Sequence, residues 1–157
     1  MARRIIVTDE DPLLRKISRE VGTPNDRTRA LLDDMIDTLR EAEGVGLAAP
    51  QVGILRRIFI INVGIEEDRE EFIEFIDPII VESSGEQDGA EGCLSVPGRQ
   101  GNVKRPDKVT VQATDRNGNR FTYTGEGLMA RCLCHEYDHL DGILYVDKAY
   151  EMVEDED

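Results

Sequence analysis

The two histidines of this 157-residue chain lie four positions apart, and this spacing constrains the fold more than any other feature. They belong to His135-Glu136-Tyr137-Asp138-His139, an H-E-x-x-H sequence. Because residues four apart lie on the same face of an α-helix, both imidazoles could bind one metal ion, and Glu136, about 100° around the helix, could reach a water molecule on it. The sequence therefore predicts a helix with a hydrolytic metal site. The alternative is a helix in which the spacing arises by chance and Glu136 is solvated.

Two segments have the pattern of helices. Apolar residues recur at helical spacing from about Asp26 to Glu43, where Asn25 can cap the start and Gly44 can end the helix. A second helix is predicted from Leu128 to Leu140, with Gly142 stopping it. The second helix contains both histidines.

Three segments have the pattern of β-strands. Residues 57–62 and 72–81 are rich in Ile, Phe and Val, and the acidic residues 66–71 between them are predicted to be exposed. Apolar and polar residues alternate on both sides of Asn117-Gly118, a dipeptide typical of tight hairpin turns. Residues 109–123 are therefore predicted to form a β-hairpin.

A hydrolytic metal site usually has three protein ligands and one open position, so a third ligand is needed. Tyr145 stands where a metzincin has its last histidine, and the few residues after His139 leave little room for a glutamate on a later helix. Cys132 lies on the same helix face as the histidines, but a metal between them would sit more than a turn further along, so its reach is poor; Cys134 points about 100° away from His135. Cys93, in a segment bounded by glycines, is the favoured third ligand; the alternative is that its thiol is a small buried hydrophobe.

Composition excludes several classes of function. The formal net charge is −14, from 33 acidic and 19 basic residues, so direct nucleic-acid binding is not expected. No apolar run approaches the roughly 18 to 20 residues of a membrane span, and no export signal is recognisable, which predicts a cytoplasmic protein without disulfides. We expect one domain over residues 1–157, with a frayed acidic tail from about 150 to 157.

Three separated segments, in the same order, resemble peptide deformylase. They are Gly44-Val45-Gly46-Leu47-Ala48-Ala49-Pro50-Gln51, Glu91-Gly92-Cys93-Leu94-Ser95 and the H-E-x-x-H segment. The resemblance covers nearly the whole chain and implies an α+β fold, with antiparallel sheets packed around a central helix that carries the H-E-x-x-H motif. One position departs from the family pattern: Cys134 stands where many members have glutamine. A second ligand or an oxidation site could therefore lie beside the metal.

The resemblance implies a metal-dependent hydrolase that removes the N-formyl group from the initiator methionine of nascent polypeptides and releases formate. Cys93, His135 and His139 would hold the metal, which the family suggests is Fe(II) in the cell, although Zn(II), Ni(II) or Co(II) suit the same ligands. The metal-bound water would attack the formyl carbon, with Glu136 as general base and then acid. The expected partners are N-formylmethionyl peptides of nascent chains, met at the ribosome near the exit tunnel, and neither nucleic acid nor membrane.

The resemblance also implies roles for residues around the metal. The Gln51 side-chain amide and the Leu94 backbone N–H would stabilise the oxyanion. Glu91 would pair with Arg105 to brace the Cys93 loop. Other residues would contact the substrate, either by holding the peptide as an added strand or by lying near the methionine pocket. The substrate-binding residues are Val45, Gly46, Glu91, Gly92, Leu128, Arg131 and Cys132.

Two other functions stay open at the level of sequence. One is a general metallopeptidase, against which the small size and the cysteine ligand argue. The other is a binding module without catalysis, in which a fourth protein ligand such as Cys132 closes the metal site. Glu136 separates these possibilities, because only a hydrolase needs it for proton transfer.

Overall fold

The computed structural model describes residues 3–154, which form two helices and eight strands together with short 3₁₀ turns. The helices are α1 (Asp26–Ala42) and α2 (Leu128–Leu140). The strands are β1 (Gly46–Ala48), β2 (Ile58–Asn62), β3 (Phe72–Ser84), β4 (Gln87–Cys93), β5 (Val96–Arg105), β6 (Lys108–Thr114), β7 (Arg120–Glu126) and β8 (Glu151–Glu154). Neither helix of this part of the chain is both long and apolar enough to cross a membrane.

The strands form two antiparallel sheets with α2 between them. The larger sheet has the order β1-β2-β3-β6-β7, and the smaller one has the order β4-β5-β8. Helix α2 contacts β1, β2, β6 and β7 of the larger sheet and β5 of the smaller one. The predicted α+β fold, with antiparallel sheets around the helix that carries the motif, is confirmed.

The first helix begins as its sequence predicts and ends one residue earlier. The Asn25 side chain accepts a hydrogen bond from the Thr28 backbone N–H, which caps the first turn. The helix ends because Glu43 adopts a left-handed conformation with φ 57°, and not because Gly44 does. Gly44 is instead a point of close approach, since a Cβ there would lie 3.0 Å from Cδ1 of both Leu39 and Leu94.

The larger sheet contains the strands that the sequence predicts. The interpretation of residues 57–62 and 72–81 as strands is confirmed by β2 and β3, although β3 continues to Ser84. Their aromatic side chains meet in the core, where the rings of Phe59 and Phe75 stack with centroids 4.7 Å apart. The predicted hairpin is the β6–β7 pair, and Gly118 supplies a positive φ of 88° in its turn.

The smaller sheet is not predicted from the sequence pattern. Strands β4 and β5 form a hairpin with its turn at Leu94-Ser95, directly after Cys93. Within the acidic tail that the sequence suggests would fray, residues 151–154 pair with residues 99–102 of β5. Acidic side chains do not prevent the backbone of these residues from pairing. Gly101 also leaves room for Met152, because a Cβ at that glycine would lie 2.6 Å from Met152 Sδ. Residues 155–157 lie outside the described residues.

The last turn of α2 is fixed by the segment before α1. The Leu140 carbonyl accepts hydrogen bonds from the Ser18 backbone N–H at 2.8 Å and from Arg57 Nη1 at 3.0 Å. Gly142 has a φ of 74°, and a Cβ there would lie 2.4 Å from the Arg15 carbonyl oxygen. The predicted helix stop at Gly142 is thus also a close contact between two segments, which holds the metal-motif helix in place.

Candidate metal centre

Cys93, His135 and His139 come together although the cysteine lies 42 positions before the first histidine. Their ligand atoms all lie within 4.8 Å of one another, and Cys93 Sγ is 3.4 Å from His139 Nε2. A metal ion that binds nitrogen and sulfur at about 2.0 to 2.3 Å needs donors this close. Within residues 3–154, no fourth cysteine, histidine, aspartate or glutamate belongs to the group. The donor set and its spacing therefore fit one metal ion with an open position.

Glu91 orients the His135 ring. Its Oε1 lies 2.9 Å from His135 Nδ1, which leaves Nε2 as the nitrogen available to a metal. The same carboxylate accepts hydrogen bonds from Arg105 and, at 2.6 Å, from Arg131 Nη1. Burial alone would raise the pKa of Glu91, but the hydrogen bonds from Arg105 and His135 outweigh it and lower that pKa to about 2. Glu91 is therefore ionised at neutral pH, and it lies next to the candidate ligand His135.

Arg105 joins Glu91 to the helix of the motif. Its guanidinium forms a two-point contact with Glu91, at 2.8 and 2.9 Å, and its Nη1 donates to Asp138 Oδ2 at 2.8 Å. The predicted ion pair between Glu91 and Arg105 is present. Asp138 was not singled out from the sequence, although its position within the motif, three residues after His135, was a usable signal. Lys148 also contacts this carboxylate, at 3.0 Å, from the surface.

Glu136 is buried beside the histidines, with one oxygen left free. Its side chain borders the cavity, and Oε1 has no hydrogen-bond partner among the described residues. Burial raises the pKa of Glu136 to about 7, against the opposing effect of a charged His135. Gly46 leaves the space that the other oxygen occupies, since a Cβ at Gly46 would lie 2.8 Å from Glu136 Oε2. The carboxylate can therefore accept a proton from a group in the cavity.

Gln51 presents its amide N–H groups to Cys93. The side-chain oxygen accepts a hydrogen bond from the Ala48 backbone N–H at 2.9 Å, and Nε2 donates to Ser95 Oγ at 3.1 Å and lies 3.5 Å from Cys93 Sγ. These contacts fix which end of the amide faces the metal ligands. The role of Ser95 was not inferred from the sequence, because a serine in a turn gives no signal of its distant partner.

A cavity of ≈ 380 Å³ opens beside the three candidate ligands. It is bordered by every predicted site residue except His139, which is buried behind them. Two sheet edges meet here, since β1 is the outer strand of the larger sheet and β4 the outer strand of the smaller one. Residues 97–100 of β5 form a further wall that the sequence did not indicate. The Arg131 guanidinium is directed to Glu91 and to the Gly89 and Val103 carbonyls.

Comparison with known proteins decides the family. The model of the polypeptide deformylase family matches residues 3–155. The chain belongs to this family. The peptide deformylase of Acetivibrio thermocellus is 49% identical to it over 157 residues, which are 100% of this chain and 89% of the relative. Peptide deformylase 2 of Clostridium acetobutylicum is 50% identical over 154 residues, or 98% and 99% of the two chains.

Solved peptide deformylases have the same fold. A crystal structure of a peptide deformylase from Legionella pneumophila is 48% identical, with a TM-score of 0.89 over 94% of this chain and 86% of that one. The Ehrlichia chaffeensis peptide deformylase, solved in complex with actinonin, is 39% identical, with a TM-score of 0.90 over 94% and 89% of the two chains. The resemblance inferred from the three sequence segments is confirmed.

Cys134, which departs from the common deformylase pattern, does not lie with the metal ligands. Its side chain is buried and belongs to the hydrophobic cluster that also contains Phe59 and Phe75, and it is absent from the group of candidate ligands. Burial raises the pKa of the Cys134 thiol. The structure thus gives no support to a second ligand at this position, and it agrees with the helix geometry, which turns the residue before His135 about 100° away from it. Cys132 does border the cavity, and burial raises the pKa of its thiol as well.

Proposed function

We propose that this chain removes the formyl group from N-formylmethionyl peptides at a divalent metal ion held by Cys93, His135 and His139. Membership of the polypeptide deformylase family supports the reaction. The observation that carries the residue assignment is the meeting of three donor atoms within 4.8 Å beside the buried Glu136 carboxylate. The absence of a fourth ligand from the group, within the described part of the chain, favours a catalytic over a purely structural metal.

One thiolate and two imidazoles suit several metals. We propose Fe(II) in the cell, and Zn(II), Ni(II) or Co(II) as substitutes that the same ligands can hold. When bound, the ion lowers the pKa of a coordinated water molecule and polarises the formyl oxygen. Glu91 holds His135 in the ring orientation and tautomer that offers Nε2 to the ion.

Glu136 is assigned the proton transfers. Its Oε1 is buried, has no partner among the described residues and belongs to a side chain that borders the cavity. A carboxylate in this position can take a proton from the attacking water and deliver it to the amine that leaves the formyl carbon. Gly46 leaves room for this carboxylate, because the side chain of a larger residue would occupy its position.

Two donors are assigned to the oxyanion that forms on the formyl group. One is Gln51 Nε2, whose amide is fixed by Ala48 and Ser95. The other is the backbone N–H of Leu94, which lies in the turn directly after Cys93 and borders the cavity. Donors that are already oriented before the reaction need no rearrangement as charge develops, and each is worth roughly 3 kcal/mol.

The peptide is proposed to bind as an extra strand between the two sheet edges. Backbone groups of Val45 and Gly46 on one side and of Gly92 on the other can pair with it. The methionine side chain would lie near Leu128 and Cys132. Because the Arg131 charge is engaged with Glu91, this end of the cavity offers an apolar surface to the thioether.

The substrates are proposed to be nascent chains near the ribosomal exit tunnel. The acidic C-terminal residues are not the docking site in this proposal, because residues 151–154 are paired with β5 and carry negative charge that RNA would repel. Deleting residues 155–157 should leave co-sedimentation with ribosomes unchanged. Loss of co-sedimentation on this deletion would contradict the assignment.

The experiment that tests the function is formate release from formyl-Met-Ala-Ser by protein loaded with Fe(II) or Co(II) under anaerobic conditions. Glu136→Gln should abolish turnover and keep the metal, whereas Glu126→Gln, at an exposed position before α2, should behave as the wild type. Cleavage of an unformylated peptide would favour a general metallopeptidase. Failure of the metal-loaded wild type to release formate would overturn the proposal.

A further inference from the structure

Tyr145 lies between the helix of the metal motif and a wall of the cavity. It begins a 3₁₀ turn (Tyr145–Asp147) after α2, and its side chain is only 1% exposed. Its ring lies nearly parallel to the His135 imidazole, with an interplanar angle of 23° and centroids 6.0 Å apart. Its hydroxyl donates a hydrogen bond to the Arg99 carbonyl oxygen at 3.1 Å. One side chain therefore contacts both a candidate metal ligand and the backbone of β5.

The backbone of β5 is shaped to accept this ring. A Cβ at Gly101 would lie 3.2 Å from Tyr145 Cε2, so a glycine lets the strand approach the ring closely. Gly101 is paired in the sheet with Glu91, the residue whose carboxylate contacts His135. Tyr145, Gly101, Glu91 and His135 thus form one packed group, and the hydroxyl extends it to Arg99.

The strand that Tyr145 holds borders the substrate cavity at residues 97–100. This step rests on the proposed function. The metal end of the cavity lies around Cys93 and Glu136, and the methionine end is assigned to Leu128 and Cys132. The wall at 97–100 borders the cavity away from both of these ends, and we place the substrate residues that follow the methionine against it.

We infer that Tyr145 is a positioning residue for peptide binding, whose hydroxyl holds the Arg99 peptide group and with it the 97–100 wall at a fixed distance from the His135 ring. It touches neither the reacting atoms nor the peptide. Its hydroxyl should therefore influence the binding of substrates long enough to reach the wall, and it should leave the chemical step and the metal unchanged.

Tyr145→Phe tests this inference, because it keeps the ring and removes only the hydroxyl. For formyl-Met-Ala-Ser, KM should rise about fivefold, as expected for the loss of one neutral hydrogen bond, while kcat and metal content stay unchanged. For formylmethionine amide, which ends before the wall, KM should not change. Hydrogen exchange of the amides of residues 97–101 should become about fivefold faster, a readout independent of activity.

Tyr150→Phe is the matched control. Tyr150 is exposed, its hydroxyl donates to Asp88, and it does not border the cavity, so this variant should match the wild type. An unchanged KM for the tripeptide, an equal rise for both substrates, or unchanged exchange of these amides in Tyr145→Phe would each overturn the inference. If the wild type released no formate, the proposed function would fail, and the exchange measurement would still decide the role of Tyr145.

Discussion

Glu91 Oε1 lies 2.9 Å from His135 Nδ1, and the same carboxylate is held by two arginines. The candidate ligand is therefore oriented by a charge that is itself fixed, since Arg105 and Arg131 together leave Glu91 little freedom to rotate. Asp138 extends this arrangement back to the helix that carries His135. The orientation of the metal site thus depends on residues that are distant in sequence, and several variants can test this dependence.

Glu91→Gln should weaken metal binding by about 10- to 100-fold, because a neutral amide does not raise the basicity of the His135 imidazole as a carboxylate does. It should also lower the free energy of unfolding by about 3 kcal/mol, since Arg105 and Arg131 lose a buried counter-charge. Titration with Co(II) and thermal unfolding measure the two effects. Glu86→Gln, at an exposed position before β4, is the control, and equal metal affinity in the two variants would contradict the assignment of Glu91.

Gln51→Ala should lower kcat for formyl-Met-Ala-Ser by about 100- to 1,000-fold, because one donor to the oxyanion is lost. Metal content should stay at the wild-type level, since Gln51 Nε2 lies 3.5 Å from Cys93 Sγ without being a ligand. The measurement is single-turnover formate release, with Gln112→Ala on the exposed face of β6 as the matched control. A variant with normal kcat would assign the oxyanion to other groups.

Gly46→Ala should lower kcat by about tenfold or more, because the new methyl group would lie 2.8 Å from Glu136 Oε2 and must displace the carboxylate. The expected metal content is that of the wild type, because the three heavy atoms nearest to the new methyl group all belong to Glu136, which is not a candidate ligand. Steady-state kinetics with a metal assay distinguish displacement of Glu136 from loss of the ion. Wild-type turnover in this variant would mean that Glu136 has room to move without cost.

Cys134→Ser should leave metal content and the lifetime of the enzyme in peroxide unchanged, because Cys134 lies in the apolar core and outside the ligand group. The hydroxyl in this core should lower the free energy of unfolding by about 1 to 3 kcal/mol. Denaturant unfolding and inactivation by peroxide provide the two measurements. Longer survival in peroxide would show that this thiol is oxidised before the metal site is damaged.

The sequence predicted the parts of the molecule whose signals are local. The H-E-x-x-H spacing specifies a helix face, and the alternation around Asn117-Gly118 specifies a hairpin. Cys93 could be inferred by elimination, because few donors were available. The geometry of its loop could not, since the β4–β5 hairpin contains glycines at 89, 92, 98 and 101 that interrupt any alternating pattern.

The contacts between distant segments were the least predictable part of the site. Arg105 reaches Asp138 across 33 positions, and Gln51 reaches Ser95 across 44. The position of Asp138 in the motif marks it as a residue of interest, but nothing in the local sequence names Arg105 or Ser95 as a partner, because such contacts are fixed by the way the sheets pack against the helix. Strand β8 escaped prediction for a related reason: its acidic side chains argue for disorder, while its backbone is paired with β5.

The two outer strands beside the candidate ligands, β1 and β4, have no second partner strand among residues 3–154, and this affects the range of substrates. A free edge presents N–H and C=O groups in the same pattern whatever chain approaches it, and in most proteins such an edge invites unwanted association. Here β1 and β4 both contribute residues to the cavity that Cys93 and His135 border. An enzyme that binds its substrate through main-chain hydrogen bonds at these two edges recognises few side chains beyond the first residue. It could thus serve as a common first processing step for thousands of unrelated proteins, with the formyl group and one thioether as the only shared label.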